Sequence, residues 1–343
     1  MATFDFAYQG AANQTESNFT EQMALNQLDT EEEVRLAYVA TTEFVPRTMR
    51  IMVDGYGTRI PAFGSIAAAY HTPGVQLYGL ADSGNQNVRT GLLDDRIIAH
   101  VSEDEFDAQQ RASINFRPAR NRALGVAIAQ MDEDQTAITA VLAARASATV
   151  SGGPTGGSVI GSNAGSSATG LAALIWAACT QFDNNNVPMD GRYLGLNPGR
   201  YNMLVSQLHY LSSRNLGNNG SMVDRRDLPN LAGFQIFKSN RMPTTNISSA
   251  TTGQRNTYTG DFRQTIGVAF QMEAVATLVP AANLSMGGKG NPQITSNEQP
   301  SSPVEVREID DRSAFTTLKV GSLITGHCVA RPDASIELKD DTL

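Results

Sequence analysis

The sequence predicts an α+β fold organised around one long helix, and three observations carry that prediction. Residues 117–147 repeat apolar side chains at helical spacing, at Leu124, Ile128, Met131, Ile138, Val141 and Leu142. Stretches at 44–51, 266–278 and 315–329 are apolar and β-branched, the composition of strands. Between the first of these and the helix, residues 55–95 read as two extended segments joined by a polar tip, a hairpin with no helix of its own to cover its apolar face.

Both ends of the long helix are written in the chain. Pro118 suits the first turn, where its missing N–H costs nothing, and Gly152-Gly153-Pro154 forbids continuation past Ser147. About 30 residues at 1.5 Å each make a rod of roughly 45 Å, a strut with one buried and one wet face. Asp132, Glu133 and Asp134 diverge around the axis too widely for a shared acid–base site, and read as part of the wet face or as a pairing surface for arginines.

Residues 1–42 form a polar arm. Thr30 can cap a short helix with Glu33 at the capping-box position, and Val34, Ala37 and Tyr38 share one side of it. Residues 1–43 carry eight acids against Arg35 alone, so the arm holds nearly all of the chain's net charge of −8. Its apolar surface is too small to fold alone, and it is expected to be disordered or to lie on a neighbour.

Beyond the strut, the Gly/Ser-rich run 151–170 marks a boundary. A helix from Thr169 aligns Leu171, Leu174, Ile175, Ala178 and Phe182. Residues 193–196 make a buried strand, and Asn197-Pro198 opens a second helix with Tyr201, Leu204, Val205 and Leu208 on one side. Residues 233–237 add a strand. The segments 266–278 and 315–329 are expected to return and pair beside the strut as one sheet.

Composition narrows the function. At 343 residues and 41% apolar content the chain supports about two domains. Two cysteines, Cys179 and Cys328, are too few for a disulfide framework or zinc ribbon. No signal peptide or membrane span is visible, which predicts a cytosol-like compartment and no membrane partner. Only four of the 26 basic residues are lysine, a bias suited to bidentate contacts between proteins, and the acidic balance argues against sequence-specific nucleic-acid binding. His71, His100, His209 and His327 lack metal-ligand spacing; His327 and Cys328 point to opposite faces of a strand and cannot share a proton. The glycine-rich runs at 152–157 and 286–290 lack the Lys-Ser/Thr of a phosphate loop, and there is no G-x-S-x-G elbow. No catalytic residue, cofactor or metal site is expected.

Taken in order, arm, long hairpin, strut, small α/β lobe and returning strands resemble the Hong Kong 97-type major capsid proteins of tailed DNA phages, in particular podoviruses. The segments that carry the resemblance are Ile60-Pro61-Ala62-Phe63-Gly64 with Ala69-Tyr70-His71-Thr72-Pro73-Gly74, Asn186-Val187-Pro188, Leu196-Asn197-Pro198, and Gly233-Phe234-Gln235-Ile236 with Ser239-Asn240 and Pro243. The resemblance implies an N-terminal arm (1–42), a peripheral domain (43–54 and 96–151) with spine helix 117–147, an E-loop (55–95), an axial domain (152–249), and returning strands and C-terminus (250–343). It also implies self-assembly through pentamers and hexamers into an icosahedral shell around double-stranded DNA, within a virion assembled in the host cytoplasm. A scaffolding protein, a portal and a decoration protein are the partners it suggests.

Some relatives join an E-loop lysine covalently to a neighbour's asparagine; residues 55–95 contain no lysine, so a noncovalent shell is expected. Arg59, Arg89 and Arg96 are expected to pair with carboxylates of adjacent subunits. Phe63, Tyr70 and His71 on the E-loop and Glu31, Glu32 and Glu33 on the arm complete the candidate interface. The alternatives are an encapsulin-like compartment shell and a monomeric α/β enzyme.

Overall fold

The computed structural model describes residues 31–64, 70–74, 76, 86–104, 116–163, 165, 167–215, 230–281, 304–311 and 316–341. These gather into two units. Residues 31–42, 96–131 and 304–324 belong to the first, and 43–95, 132–281 and 325–341 to the second.

The first unit contains helix α1 (31–41), strand β4 (Ile97–Asp104), the N-terminal half of the long helix α2 (Phe116–Arg145), and strands β12 (Glu305–Asp311) and β13 (Thr316–Leu323). β13 lies between β12 and β4, antiparallel to both. Val34 and Tyr38 of α1 meet Leu124, Ile128 and Ala129 of α2 and Ile97, Val306 and Leu323 of the sheet. Two glycines permit the contacts. A Cβ on Gly321 would stand 2.8 Å from Ile128 Cδ1, and one on Gly125 would stand 2.3 Å from the Val34 carbonyl oxygen. Gly125→Ala therefore forces α1 away from α2. It is expected to destabilise the unit by about 1–3 kcal/mol, measured as lost hydrogen-exchange protection across residues 34–41.

In the second unit, β5 (Ser158–Ser162), β6 (Arg192–Leu196), β7 (Gln235–Lys238), β10 (Thr265–Gln271) and β15 (Ser335–Asp340) form a sheet in the order β5-β15-β10-β6-β7. Helices α3 (Ala168–Asn184) and α4 (Pro198–Asn215) join it in one apolar core with Leu171, Ile175, Phe182, Tyr201 and Leu204. Asn197 caps α4 as the sequence predicts, its carbonyl and side-chain oxygens accepting from Tyr201 and Gly199. The cap of α3 is Ser167, ahead of the expected start at Thr169, and its side chain accepts the Gly170 N–H at 3.1 Å. A second sheet has the order β1-β11-β14, from Met49–Val53, Val275–Pro280 and Gly326–Val329. β8 (Asn246–Ile247) and β9 (Gly260–Asp261) pair as a short ladder.

The returning segments thus enter three sheets rather than one. β10 and β11 are divided by the short turn Met272–Ala274, where the Gln271 side chain accepts the Glu273 N–H at 2.8 Å and turns the chain out of the first ladder. Residues 44–51, expected as one strand, split likewise into the 3-10 turn Val45–Arg47 and β1.

The wet face of the strut holds only for its first half. From Asp132 to Ala144 almost every residue is buried, the polar ones included. Thr136 and Thr139 donate to the carbonyls four residues back, at 2.8 Å each, which hides their polarity inside the helix. Glu133 is buried because it serves another part of the chain. Its Oε1 accepts the N–H groups of Glu43, Phe44 and Val45 at 2.6, 2.8 and 3.0 Å, and Oε2 accepts Phe44 N–H again at 2.9 Å. These are the open donors at the start of the 3-10 turn, an anion site met by an anion. Asp134 fits the arginine-pairing expectation, 3.8 Å from Arg241.

Candidate assembly surfaces

β2 (Gly57–Phe63) and β3 (Gln86–Leu92) form the expected hairpin, in a register that pairs Gly57 with Leu92 and Phe63 with Gln86. Facing residues of an antiparallel ladder share a side, so the register divides the ribbon into two faces. Thr58, Ile60, Ala62, Asn87, Arg89 and Gly91 lie on one; Arg59, Pro61, Phe63, Gln86, Val88 and Thr90 lie on the other.

The first face is fastened at home. Arg89 donates to Thr149 Oγ1 at 2.6 Å and to the Ser147 carbonyl at 2.7 Å, and Asn87 donates to the Thr149 carbonyl at 2.9 Å. Gly91 admits Cys328 so closely that a Cβ there would lie 2.4 Å from its sulfur. Burial lowers the Arg89 pKa and pushes the Cys328 thiol up to about 12, so that thiol is no thiolate at neutral pH. The hairpin is therefore not wholly dependent on a neighbour.

The second face is open. Phe63 is 63% exposed and Val88 47%, with Pro61 between them and Arg59 at the end of the row, also exposed. Tyr70 and His71 beyond it are exposed as well; the rest of the tip, at 65–69, 75 and 77–85, lies outside the described residues.

The root of the hairpin carries a buried polar chain that the sequence reading did not find. Asp94 Oδ1 accepts the N–H of Arg255 at 2.6 Å and of Asn256 at 3.1 Å, and its Oδ2 accepts the Tyr258 hydroxyl. Tyr258 in turn accepts the His327 N–H at 3.0 Å. Burial and the Asp94 carboxylate raise the Tyr258 pKa, so the phenol stays a donor. His327 Nε2 reaches Asp132 Oδ1 at 2.9 Å, where Thr325 Oγ1 also donates at 2.8 Å. Asp132, His327 and the hydroxyls of Thr136 and Thr277 have the members of a hydrolytic triad. The side chains of Asp132 and His327 are 0% exposed, however, and the Thr136 hydroxyl donates to the Asp132 carbonyl, so no substrate reaches the group. His327 and Cys328 do point apart, as expected for neighbours on a strand.

In the first unit, Glu31 lies 3.5 Å from Arg35 and Glu33 accepts from Asn121 at 2.9 Å, so the three acids do not share one outward surface; Glu32 is exposed. Arg96 is half-buried, 4.0 Å from Glu305. Leu36 and Val39 project from α1 into solvent. Among the described residues no group of three or more His, Cys, Asp or Glu is placed to hold a metal ion, and no helix is long and apolar enough to cross a membrane.

Of the nine candidates, Arg59, Phe63, Tyr70, His71 and Glu32 are outward, whereas Arg89, Arg96, Glu31 and Glu33 have partners within their own unit. Alternation alone could not separate Arg59 from Arg89, since the register that opposes their faces depends on a tip of unknown length.

A family model described as Gp10A-like major capsid protein matches residues 59–339. Among solved structures, the capsid of cyanophage P-SCSP1u matches with a TM-score of 0.71 and 26% identity, over 87% of this chain and 88% of that one. The mature capsid of bacteriophage PhiM1 matches with a TM-score of 0.65 and 15% identity, over 88% of each chain. The Mycobacterium phage Che8 structure matches with a TM-score of 0.60 and 19% identity, over 87% of this chain and 91% of that one. No curated protein sequence matches.

Proposed function

Because the chain belongs to the Gp10A-like family of major capsid proteins, and so forms the icosahedral shell of a phage virion, we propose that its copies grip one another through the outward face of β2 and β3. The observation behind this reading is the division of the hairpin: one face bonded at home, the other an exposed apolar row of Pro61, Phe63 and Val88 ending in Arg59. Exposed apolar rows on a subunit that forms a closed assembly are surfaces for its own copies. Tyr70 and His71 are exposed as well, and Leu36, Val39 and Glu32 give α1 a smaller row.

Arg59 supplies direction. Its guanidinium suits a carboxylate on the adjacent subunit, and Arg59→Glu is expected to raise the protein concentration needed for assembly about tenfold or more. Light scattering against concentration measures this, and an unchanged threshold removes Arg59 from the interface.

A scaffolding protein, a portal and a decoration protein are the further partners. Double-stranded DNA is enclosed without sequence-specific contact, consistent with a net charge of −8. The chain's role is structural, and the match to a major capsid family gives the encapsulin-like alternative less support. Size-exclusion chromatography with negative-stain microscopy of purified protein, with and without a scaffold, tests the whole reading: particles support it, and a persistent 36.7 kDa monomer under both conditions overturns it.

A further inference from the structure

Both strands of the hairpin leave the body beside one short segment, residues 253–258, which lies far from them in sequence. Asn256 treats β3 as a neighbouring strand would: its Oδ1 accepts the Leu92 N–H at 3.1 Å and its Nδ2 donates to the Leu92 carbonyl at 2.6 Å. The Gly253 carbonyl accepts the Asp95 N–H at 2.9 Å, with Gly253 at φ +96°, a conformation that favours glycine. Arg255 lies 2.6 Å from Asp95 Oδ1 and stacks 5.4 Å from the ring centre of Tyr56, at the start of β2. Leu93 N–H bonds the Tyr56 carbonyl at 2.9 Å, which ties the two strands together there. Tyr258 then joins Asp94 to the backbone of His327, whose ring is held by Asp132 of α2.

We propose that residues 253–258 are a clasp that fixes the direction in which the hairpin leaves the subunit, with Asn256 and Tyr258 as its positioning residues, and that this direction sets the curvature of the shell. The proposal rests on the shell-forming reading above. A ribbon of seven-residue strands acts as a lever some 20 Å long, so a small rotation at its root displaces Phe63 by several ångströms from any partner surface. Directional hydrogen bonds, part-buried at Asn256 and buried at Tyr258, suit this task because their geometry is more tightly fixed than that of apolar packing.

Tyr258→Phe removes a single hydroxyl, and Asn256→Ala removes both bonds to Leu92. In the unassembled subunit, amide hydrogen exchange at Leu92, Leu93, Asp94 and Asp95 is expected to accelerate tenfold or more in either variant, with circular dichroism unchanged. Their particles are expected to spread in diameter, or to be replaced by open sheets and spirals, and Asn256→Gln is expected to restore part of the wild-type distribution. Should Asn256→Ala fail to fold, Tyr258→Phe decides. Exchange within twofold of wild type, or accelerated exchange with particles of unaltered diameter, overturns the proposal. A wild-type chain that forms no particles overturns the shell reading and this proposal together, which separates the two failures.

Discussion

Phe63→Asp combined with Val88→Asp is expected to abolish particle formation while leaving the subunit folded. Phe63 is 63% and Val88 47% exposed in the subunit, so the cost to folding is small. At an interface the same side chains count heavily. Burying Phe63 is worth about 2–3 kcal/mol, and a carboxylate in its place adds a desolvation penalty. Even 2 kcal/mol per contact is roughly a thirty-fold loss of affinity, and a closed shell repeats that loss at every subunit because its many weak contacts act together. Analytical ultracentrifugation with electron microscopy reads the outcome. Normal particles from the double variant would remove the hairpin's outer face from the interface.

Glu133→Ala is expected to lower the stability of the second unit by roughly 3–5 kcal/mol, through three N–H groups left without an acceptor in a dry site and the loss of a carboxylate that held them. At about 2–4 °C per kcal/mol the thermal midpoint falls by around 10 °C. Glu133→Gln keeps one acceptor and loses less. The pH dependence has a definite sign. Burial outweighs the three backbone hydrogen bonds and raises the Glu133 pKa from 4.5 to about 7. A carboxyl with a raised folded-state pKa binds its proton more tightly folded than unfolded. Its contribution to stability is therefore complete below about pH 4.5 and is lost as the pH rises through about 7. Stability measured across that window should fall with pH more steeply in the wild type than in Glu133→Gln, and parallel slopes would refute the assignment.

Glu133 also shows where the sequence stops being informative. The limits of α2, the buried side of α3, the burial of Tyr201 and Leu204 on α4 and the existence of the hairpin follow from local signals, namely period, caps and turn residues. The ends of α2 fall within one or two residues of their expected places; the Leu208 side chain lies outside the described residues. Asp132 and Glu133 looked wet because their partners, His327 and the amides of 43–45, are remote in the chain. Buried polarity is legible only once its partner is known. The same limit hid Asn256 and Tyr258, ordinary loop residues until Leu92 and Asp94 are seen beside them, and it misassigned the returning strands, whose choice of sheet turns on a three-residue break at 272–274. On the candidate surface, Phe63 and Tyr70 are exposed, as a contact role requires, whereas the arginines could be sorted only by the register.

Pro61 sits mid-strand in β2, opposite Val88. Proline has no N–H to give, and within a strand it is accommodated where its nitrogen faces the unpaired side. The outer rim of the ribbon consequently offers an incomplete ladder to any incoming strand, so freshly made chains crowded at high concentration are protected from zipping edge to edge into fibrous aggregates. A substitution as mild as Pro61→Val would restore that missing donor and is expected to turn a soluble precursor into one prone to precipitate.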